Sequence, residues 1–226
     1  MTTKTASRRL PVRSCTVVGT GESVETHHTV QCPRRHESTA FAKCCGCAHM
    51  TAIDVDPDGK HGTVECHVEE PLLPNGRVDV AEAAVRMRLG DVLGIDTTCV
   101  RSDVKIEVVT SLLVDNGLRA VPVVDEARRL VGIVSKTDLL RPRGTGKART
   151  KLVSDIMTPV VHGLPEDAPV AYAISLMAFE GLHEVPVVDA QSHVIGMVTS
   201  TDALRWVAQS LGYVVPGVVP APKPKA

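Results

Sequence analysis

A chain of 226 residues, 43% apolar and 23% charged, is long enough to bury the core of one or two ordinary globular domains. Aromatics are only 2% and the formal net charge is −1, which argues against base-stacking platforms and against a polyanion partner; nucleic acid is therefore not expected. No apolar run reaches the roughly 18–20 residues that a membrane span needs.

Residues 1–29 are expected to form a disordered tail, with one short strand at Cys15-Thr-Val-Val. Lys4, Arg8, Arg9 and Arg13 precede no apolar run of the signal-peptide kind. The acid-free opening has some transit-peptide character, but a plain tail is the simpler reading, and a reducing cytoplasm is the expected location. An odd count of seven cysteines fits poorly with a disulfide framework.

Residues 30–70 hold five of those cysteines, several histidines and few long aliphatics, too little to fold by burial alone. Cys32, Cys44, Cys47 and Cys66 are spaced C-x11-C-x2-C-x18-C. Four thiolates in a closed tetrahedron suit a structural zinc, and the long gap resembles that between the halves of a zinc ribbon. Cys45 stands spare, and His36, His49, His61 or His67 could replace one ligand. Free thiols, or a redox-active cluster of Cys44, Cys45 and Cys47, are the competing readings.

Residues 71–90 read as a turn-rich linker, Pro71-Leu-Leu-Pro-Asn-Gly76, and a short helix from Val78 to Leu89 that Gly90 ends. From Asp91 the sequence repeats itself. Residues 91–141 and 155–205 align without a gap and share 17 of 51 positions, which decides for one supersecondary unit used twice. Val121-Pro-Val-Val-Asp125 maps to Val185-Pro-Val-Val-Asp189, and Gly132-Ile-Val-Ser135-Lys-Thr-Asp138 to Gly196-Met-Val-Thr199-Ser-Thr-Asp202. Each copy predicts strand–helix–strand–strand–helix. Asp103 and Asp167 are expected as N-caps, and Gly117 and Gly181 as helix ends. The basic stretch 142–154 reads as a solvated linker, since Gly144-Thr-Gly-Lys147 lacks the spacing of a phosphate-binding loop. The second copy is taken to residue 213, and the Pro/Lys tail 214–226 is expected to be disordered.

This tandem pattern resembles the CBS domain, and the pair resembles a Bateman module. The resemblance covers roughly Asp91–Tyr213, with Met157-Thr158-Pro159 matching the usual opening of a copy where the first copy has Leu93-Gly94-Ile95. It implies an α/β fold of two β-α-β-β-α repeats packed as a pseudo-twofold pair, here preceded by a small Cys-rich metal-binding module. It further implies an adenine nucleotide or S-adenosylmethionine bound in the clefts, and a non-enzymatic regulatory role is expected because the sequence shows no nucleophile triad, paired-carboxylate signature or hydride-cofactor fingerprint.

The residues carried over for that ligand are Val121, Ser135, Asp138, Arg141, Thr158, Val185, Thr199, Asp202 and Arg205. A carboxylate can accept both vicinal hydroxyls of a ribose, which suits Asp138 and Asp202. The hydroxyls of Ser135 and Thr199 precede a helix, Val121 and Val185 offer an apolar slot for adenine, and the two arginines suit phosphate. The plainer role for either aspartate is an N-cap, worth about 1 kcal/mol. With Thr158-Pro159 at the opening of its copy, the Thr199/Asp202 cleft is expected to be the stronger one. A homodimer is expected because Leu112, Leu113, Leu176, Met177 and Leu204 exceed what one module buries, and an unidentified protein would receive the signal.

Overall fold

The computed structural model describes residues 3–35, 37–56, 61–71, 80–140, 152–159 and 163–211. His36, Arg141, residues 142–151 of the basic linker and the tail 214–226 lie outside them.

The chain opens on a long strand, β1 (Thr3–Val18), not on a disordered tail. Its side chains alternate with the two-residue period of a strand, burying Leu10 and Val12 on one face and Arg13, Cys15 and Val17 on the other. β2 (Val24–Cys32) returns antiparallel to it from Val18↔Val24 to Val12↔Val30. β3 (Glu37–Ala40) extends that edge, and one helical turn, α1 (Phe41–Cys45), follows. β4 (Met50–Val55) and β5 (Gly62–Pro71) form a hairpin, and β5 pairs with Thr3–Val12 of β1.

Val12 is partnered by both Val30 and Gly62, so β2 and β5 lie on opposite edges of β1. Where β5 ends, β6 (Asp96–Arg101) takes over its edge, running parallel to β1 from Ser14↔Asp96 to Val18↔Val100. β6 is the first strand of repeat one. The cysteine-bearing segment therefore shares a continuous eight-stranded sheet with that repeat and is not a separate module on a linker.

Between them lie α2 (Val80–Arg86) and α3 (Leu89–Val92); the expected single helix to Leu89 is two short ones, and Gly90 sits inside the second. Repeat one continues with α4 (Ile106–Asp115), β7 (Ala120–Val124), β8 (Leu130–Ser135) and α5 (Lys136–Leu140). Repeat two comprises β9 (Leu164–Pro165), α6 (Val170–Glu180), β10 (Glu184–Val188), β11 (Val194–Thr199) and α7 (Ser200–Ser210). The cap of α4 is Lys105, because Asp103 is held instead by the Arg101 guanidinium at 2.9 and 3.1 Å. Likewise Pro169, not Asp167, caps α6. Gly117 and Gly181 do end their helices with φ of 64° and 66°, a left-handed backbone that glycine adopts without strain.

The two repeats are related by a pseudo-twofold axis. The isolated bridges Arg88↔Pro169 and Lys105↔Leu152 are exchanged by the 64-residue shift between copies, and Arg129↔His193 pairs a position with its own mate. Each copy's opening segment lies on the other copy. Val153 is fully buried in the core of repeat one, with Val109, Leu113, Val121 and Val134, whereas Leu89 and Leu93 belong to that of repeat two. Glycine leaves room where they cross, most strictly at Gly132, where a Cβ would also meet the Thr158 carbonyl oxygen at 2.9 Å. A Cβ on Gly132 would stand 2.7 Å from Met157 Sδ, and one on Gly196 2.7 Å from Leu93.

Candidate functional site

Two clefts flank the pseudo-twofold axis, of about 490 and 300 Å³. Cleft one is lined by Ser135, Lys136, Thr137 and Asp138 at the β8–α5 junction, by Ile133, and by Thr158 and Pro186 from repeat two. Cleft two is lined by Thr199 to Asp202 at the β11–α7 junction, by Met197, and by Gly94 and Asp96–Thr98 from repeat one. Arg119, Ala120, His183 and Glu184 form a ridge common to both.

Each junction is a reciprocal cap. The Ser135 backbone N–H and hydroxyl donate to Asp138 Oδ2 at 2.9 and 2.6 Å. In the second copy the Thr199 N–H and hydroxyl donate to Asp202 Oδ2 at 3.0 and 2.7 Å, and the Asp202 N–H returns a bond to Thr199 Oγ1 at 3.1 Å. Such a box fixes the carboxylate at the mouth of the cleft and satisfies helix N–H groups at the same time. Asp202 Oδ1 accepts from Arg205 at 2.9 Å, an exposed pair of the kind worth about 0–1 kcal/mol, which a ligand can displace.

The expected residues are only partly brought together. Ser135, Asp138 and Thr158 meet in cleft one, and Thr199 and Asp202 in cleft two. Thr158 thus serves the cleft of the opposite copy, because the openings are exchanged, and the reasoning that favoured the Asp202 cleft through Thr158 does not hold. Val121 and Val185 are 1% exposed and lie in the cores, so they are not slot walls. Their immediate neighbours Ala120, Glu184 and Pro186 line the clefts instead. Strand alternation carries that signal, since the residue beside a core-facing valine faces away from the core. Arg205 touches the cleft only through Asp202, and Arg141 lies outside the described residues.

Arg119, Lys136, His183, Glu184 and Asp96 were not anticipated. Glu184 is the most unusual of them: its Oε2 is buried without a hydrogen-bond partner. Burial pushes its carboxyl up, while Arg119, the Ala120 N–H and His183 pull it down.

The cysteines form a separate layer. Cys66 and Cys44 pack with Leu10, Val12, Val30 and Val64 on one face of the sheet, and the turn between Cys44 and Cys47 is closed by the Cys47 N–H to the Cys44 carbonyl at 3.0 Å. Burial pushes the Cys44 thiol up, and so do Cys47, Cys66 and Cys32 around it. Cys45 adds to the same push, so the thiols near Cys44 are not limited to the expected four. Among the described residues, however, no three His, Cys, Asp or Glu side chains form a metal-holding group, so the closed tetrahedral site expected from the spacing is not formed. Arg34 instead occupies His49 through Nη1.

The sequence pattern of the CBS domain family matches residues 89–143 and 153–209. Those residues are a tandem pair of CBS domains. The chain is 32% identical over 115 residues to L-aspartate semialdehyde sulfurtransferase of Methanocaldococcus jannaschii, spanning 51% of this chain and 22% of that protein. It is 30% identical over 110 residues to inosine-5′-monophosphate dehydrogenase of Thermoplasma acidophilum, spanning 48% of this chain and 21% of that one. The chain therefore matches about a fifth of the length of these relatives. Among solved structures it is similar to CBSX2 in complex with AMP, at 28% identity and a TM-score of 0.50, covering 54% of this chain and 96% of that one. No helix among the described residues is long and apolar enough to cross a membrane.

Proposed function

We propose that the chain is a non-enzymatic regulatory protein whose CBS pair senses an adenosine-containing ligand and passes the signal through β6 into the cysteine-bearing sheet. The observation that carries this reading is the hydroxyl–carboxylate cap at the mouth of each cleft, in a CBS pair similar to one that holds AMP. A carboxylate already oriented by two donors is preorganised to accept ribose hydroxyls through charge-assisted hydrogen bonds. A thermal-shift panel of AMP, ADP, ATP and S-adenosylmethionine tests it. A ligand at 100 times its dissociation constant adds about 2.7 kcal/mol and moves the melt; if none does, the chain is not such a sensor.

Two finer readings accompany this one. The packing of Cys44 and Cys66 in one apolar layer, with Cys32 and Cys47 near Cys44, supports a structural zinc; thiol reactivity that follows oxidant and ignores chelator would favour the redox scaffold instead. A homodimer through the helical face is supported by Phe179, Leu204, Leu211 and Tyr172, 87%, 70%, 56% and 55% exposed. Leu113 and Met177, first assigned to that surface, are buried in the chain's own cores, and Leu112 and Leu176 pack against them. Light scattering at tens of micromolar decides: a monomer mass ends the dimer proposal.

A further inference from the structure

The two clefts differ in charge. Among the described residues, cleft one sets Arg119 and Lys136 against Asp138 and Glu184, a formal balance of zero, whereas cleft two sets Arg119 alone against Asp96, Glu184 and Asp202, a balance of −2. His183 lines both and is counted uncharged. Arg205 pairs with Asp202 from beside cleft two, which still leaves one net negative charge there. His61 stands 3.9 Å from Asp96, at the long end of an ion pair and charged only when protonated. The N-terminus of α7 would favour an anion, but the Asp202 carboxylate already occupies it through the cap.

The difference arises at two places where the copies diverge. Lys136 of repeat one aligns with Ser200 of repeat two, which removes a cation from cleft two. Gly94-Ile95-Asp96 of the first opening aligns with Thr158-Pro159-Val160 of the second, which adds a carboxylate to cleft two. Glu184, where repeat one has Ala120, contributes to both and keeps even cleft one from being strongly cationic.

We infer that the clefts divide their ligands by charge: cleft one takes the phosphate-bearing adenosine compound, and cleft two an adenosyl compound without phosphate. This rests on the adenosine-sensing reading above and goes further by naming which chemistry each cleft accepts. In a recess partly closed to water, a phosphate is disfavoured by three carboxylates set against Arg119 and an Arg205 that Asp202 already holds, while Lys136 and Arg119 in cleft one can meet its charge. A neutral adenosyl group loses nothing in cleft two, where the carboxylates accept its hydroxyl and amino donors.

Calorimetric titration of the full chain with AMP and with adenosine tests the division. AMP is expected to fill one site per chain and adenosine two, and adenosine should still fill one site after saturation with AMP. Lys136 is exposed, so Lys136→Ala leaves the fold intact; it should weaken AMP about tenfold and adenosine less than twofold. Asp96→Lys, also at an exposed position, should raise the AMP count from one to two. Two equal AMP sites in the wild type, or AMP affinity unmoved by Lys136→Ala, would overturn the division and leave the sensing role standing. Heat from neither compound would overturn the sensing role itself, and the division with it.

Discussion

Thr158 and Ile133 exchange both backbone hydrogen bonds, Thr158 N–H to the Ile133 carbonyl at 2.8 Å and Ile133 N–H to the Thr158 carbonyl at 3.1 Å. The opening of repeat two is thereby fixed to β8, beside the Ser135–Asp138 cap. Thr158→Ala should weaken a ligand in the Asp138 cleft by about 0.5–1.5 kcal/mol, the net worth of one neutral hydrogen bond, and leave the Asp202 cleft unmoved. Titration of the variant beside Asp202→Ala checks this. Loss at the Asp202 cleft would mean that the openings are not exchanged in solution.

The two aspartates should also differ as structural groups. The N-cap of α7 is Thr199, not the expected Asp202, which is its third residue. Asp202→Ala removes half of that capping box at a partly exposed helix end and should cost about 0.5–2 kcal/mol. Asp138 is only 6% exposed, so the Ser135 N–H and hydroxyl lose their acceptor at a more buried place than those of Thr199, and Asp138→Ala should lie at or above the top of that range. Urea denaturation without ligand measures both. Equal, small losses would mean that Asp138 is better solvated than its surroundings indicate.

The repeat architecture was legible because it is written in pattern: the valine runs, the turn aspartates and the helix-ending glycines recur at one spacing and occupy equivalent places. What was not legible was which copy meets which. Local sequence near Thr158 speaks only of its own repeat, while its position depends on Gly132 leaving room for Met157 beneath it. The first strand was missed for a different reason. Arg8, Arg9 and Arg13 interrupt the apolar alternation, yet Arg13 is 4% exposed, a burial that only its carboxylate surroundings make tolerable.

Those surroundings are Asp91 and Glu166, while burial pulls the Arg13 guanidinium down. Glu166 also accepts the Ser38 N–H at 2.7 Å, joining the cysteine-bearing sheet to repeat two. Glu166→Ala strands the Ser38 N–H and should cost about 1–3 kcal/mol, whereas Arg13→Met removes a buried guanidinium whose Nε and Nη1 have no hydrogen-bond partner and should be neutral or stabilising. Paired denaturation curves rank them. The opposite ranking would show that water reaches the guanidinium.

Glu184 gives a pH signature. Its carboxyl is raised by burial, so the folded chain holds that proton more tightly than the unfolded chain, whose glutamates titrate near about 4.3. Its contribution therefore favours folding at low pH and is lost as pH rises through the folded value. The stability of wild type relative to Glu184→Gln should fall from pH 4 toward pH 7. A flat difference would mean that the carboxyl ionises as freely folded as unfolded.

For the cysteine layer, about one zinc per chain is expected by elemental analysis, and Cys66→Ser should lower it. Apparent zinc binding in small folding units is worth about 10–16 kcal/mol, so chelation should lower the melting temperature markedly. Because β1 belongs to both parts of the sheet, hydrogen exchange after chelation should rise in β6 as well as in residues 30–70. A full set of reactive thiols in protein prepared without chelator, with no zinc present, ends the metal proposal.

The shared strand also limits how a signal can travel. Asp96–Thr98 of β6 form a wall of cleft two and are hydrogen-bonded in register to Ser14–Thr16 of β1, whose other end carries the partner of Cys66. A slip of β6 by one residue would turn Cys99 out of a layer it shares with Cys15, Val17, Val124 and Val194, and would expose every side chain now facing inward. That motion is closed to the protein. Under the sensing proposal, a relay through β6 must keep this register and so move β1 and β6 together.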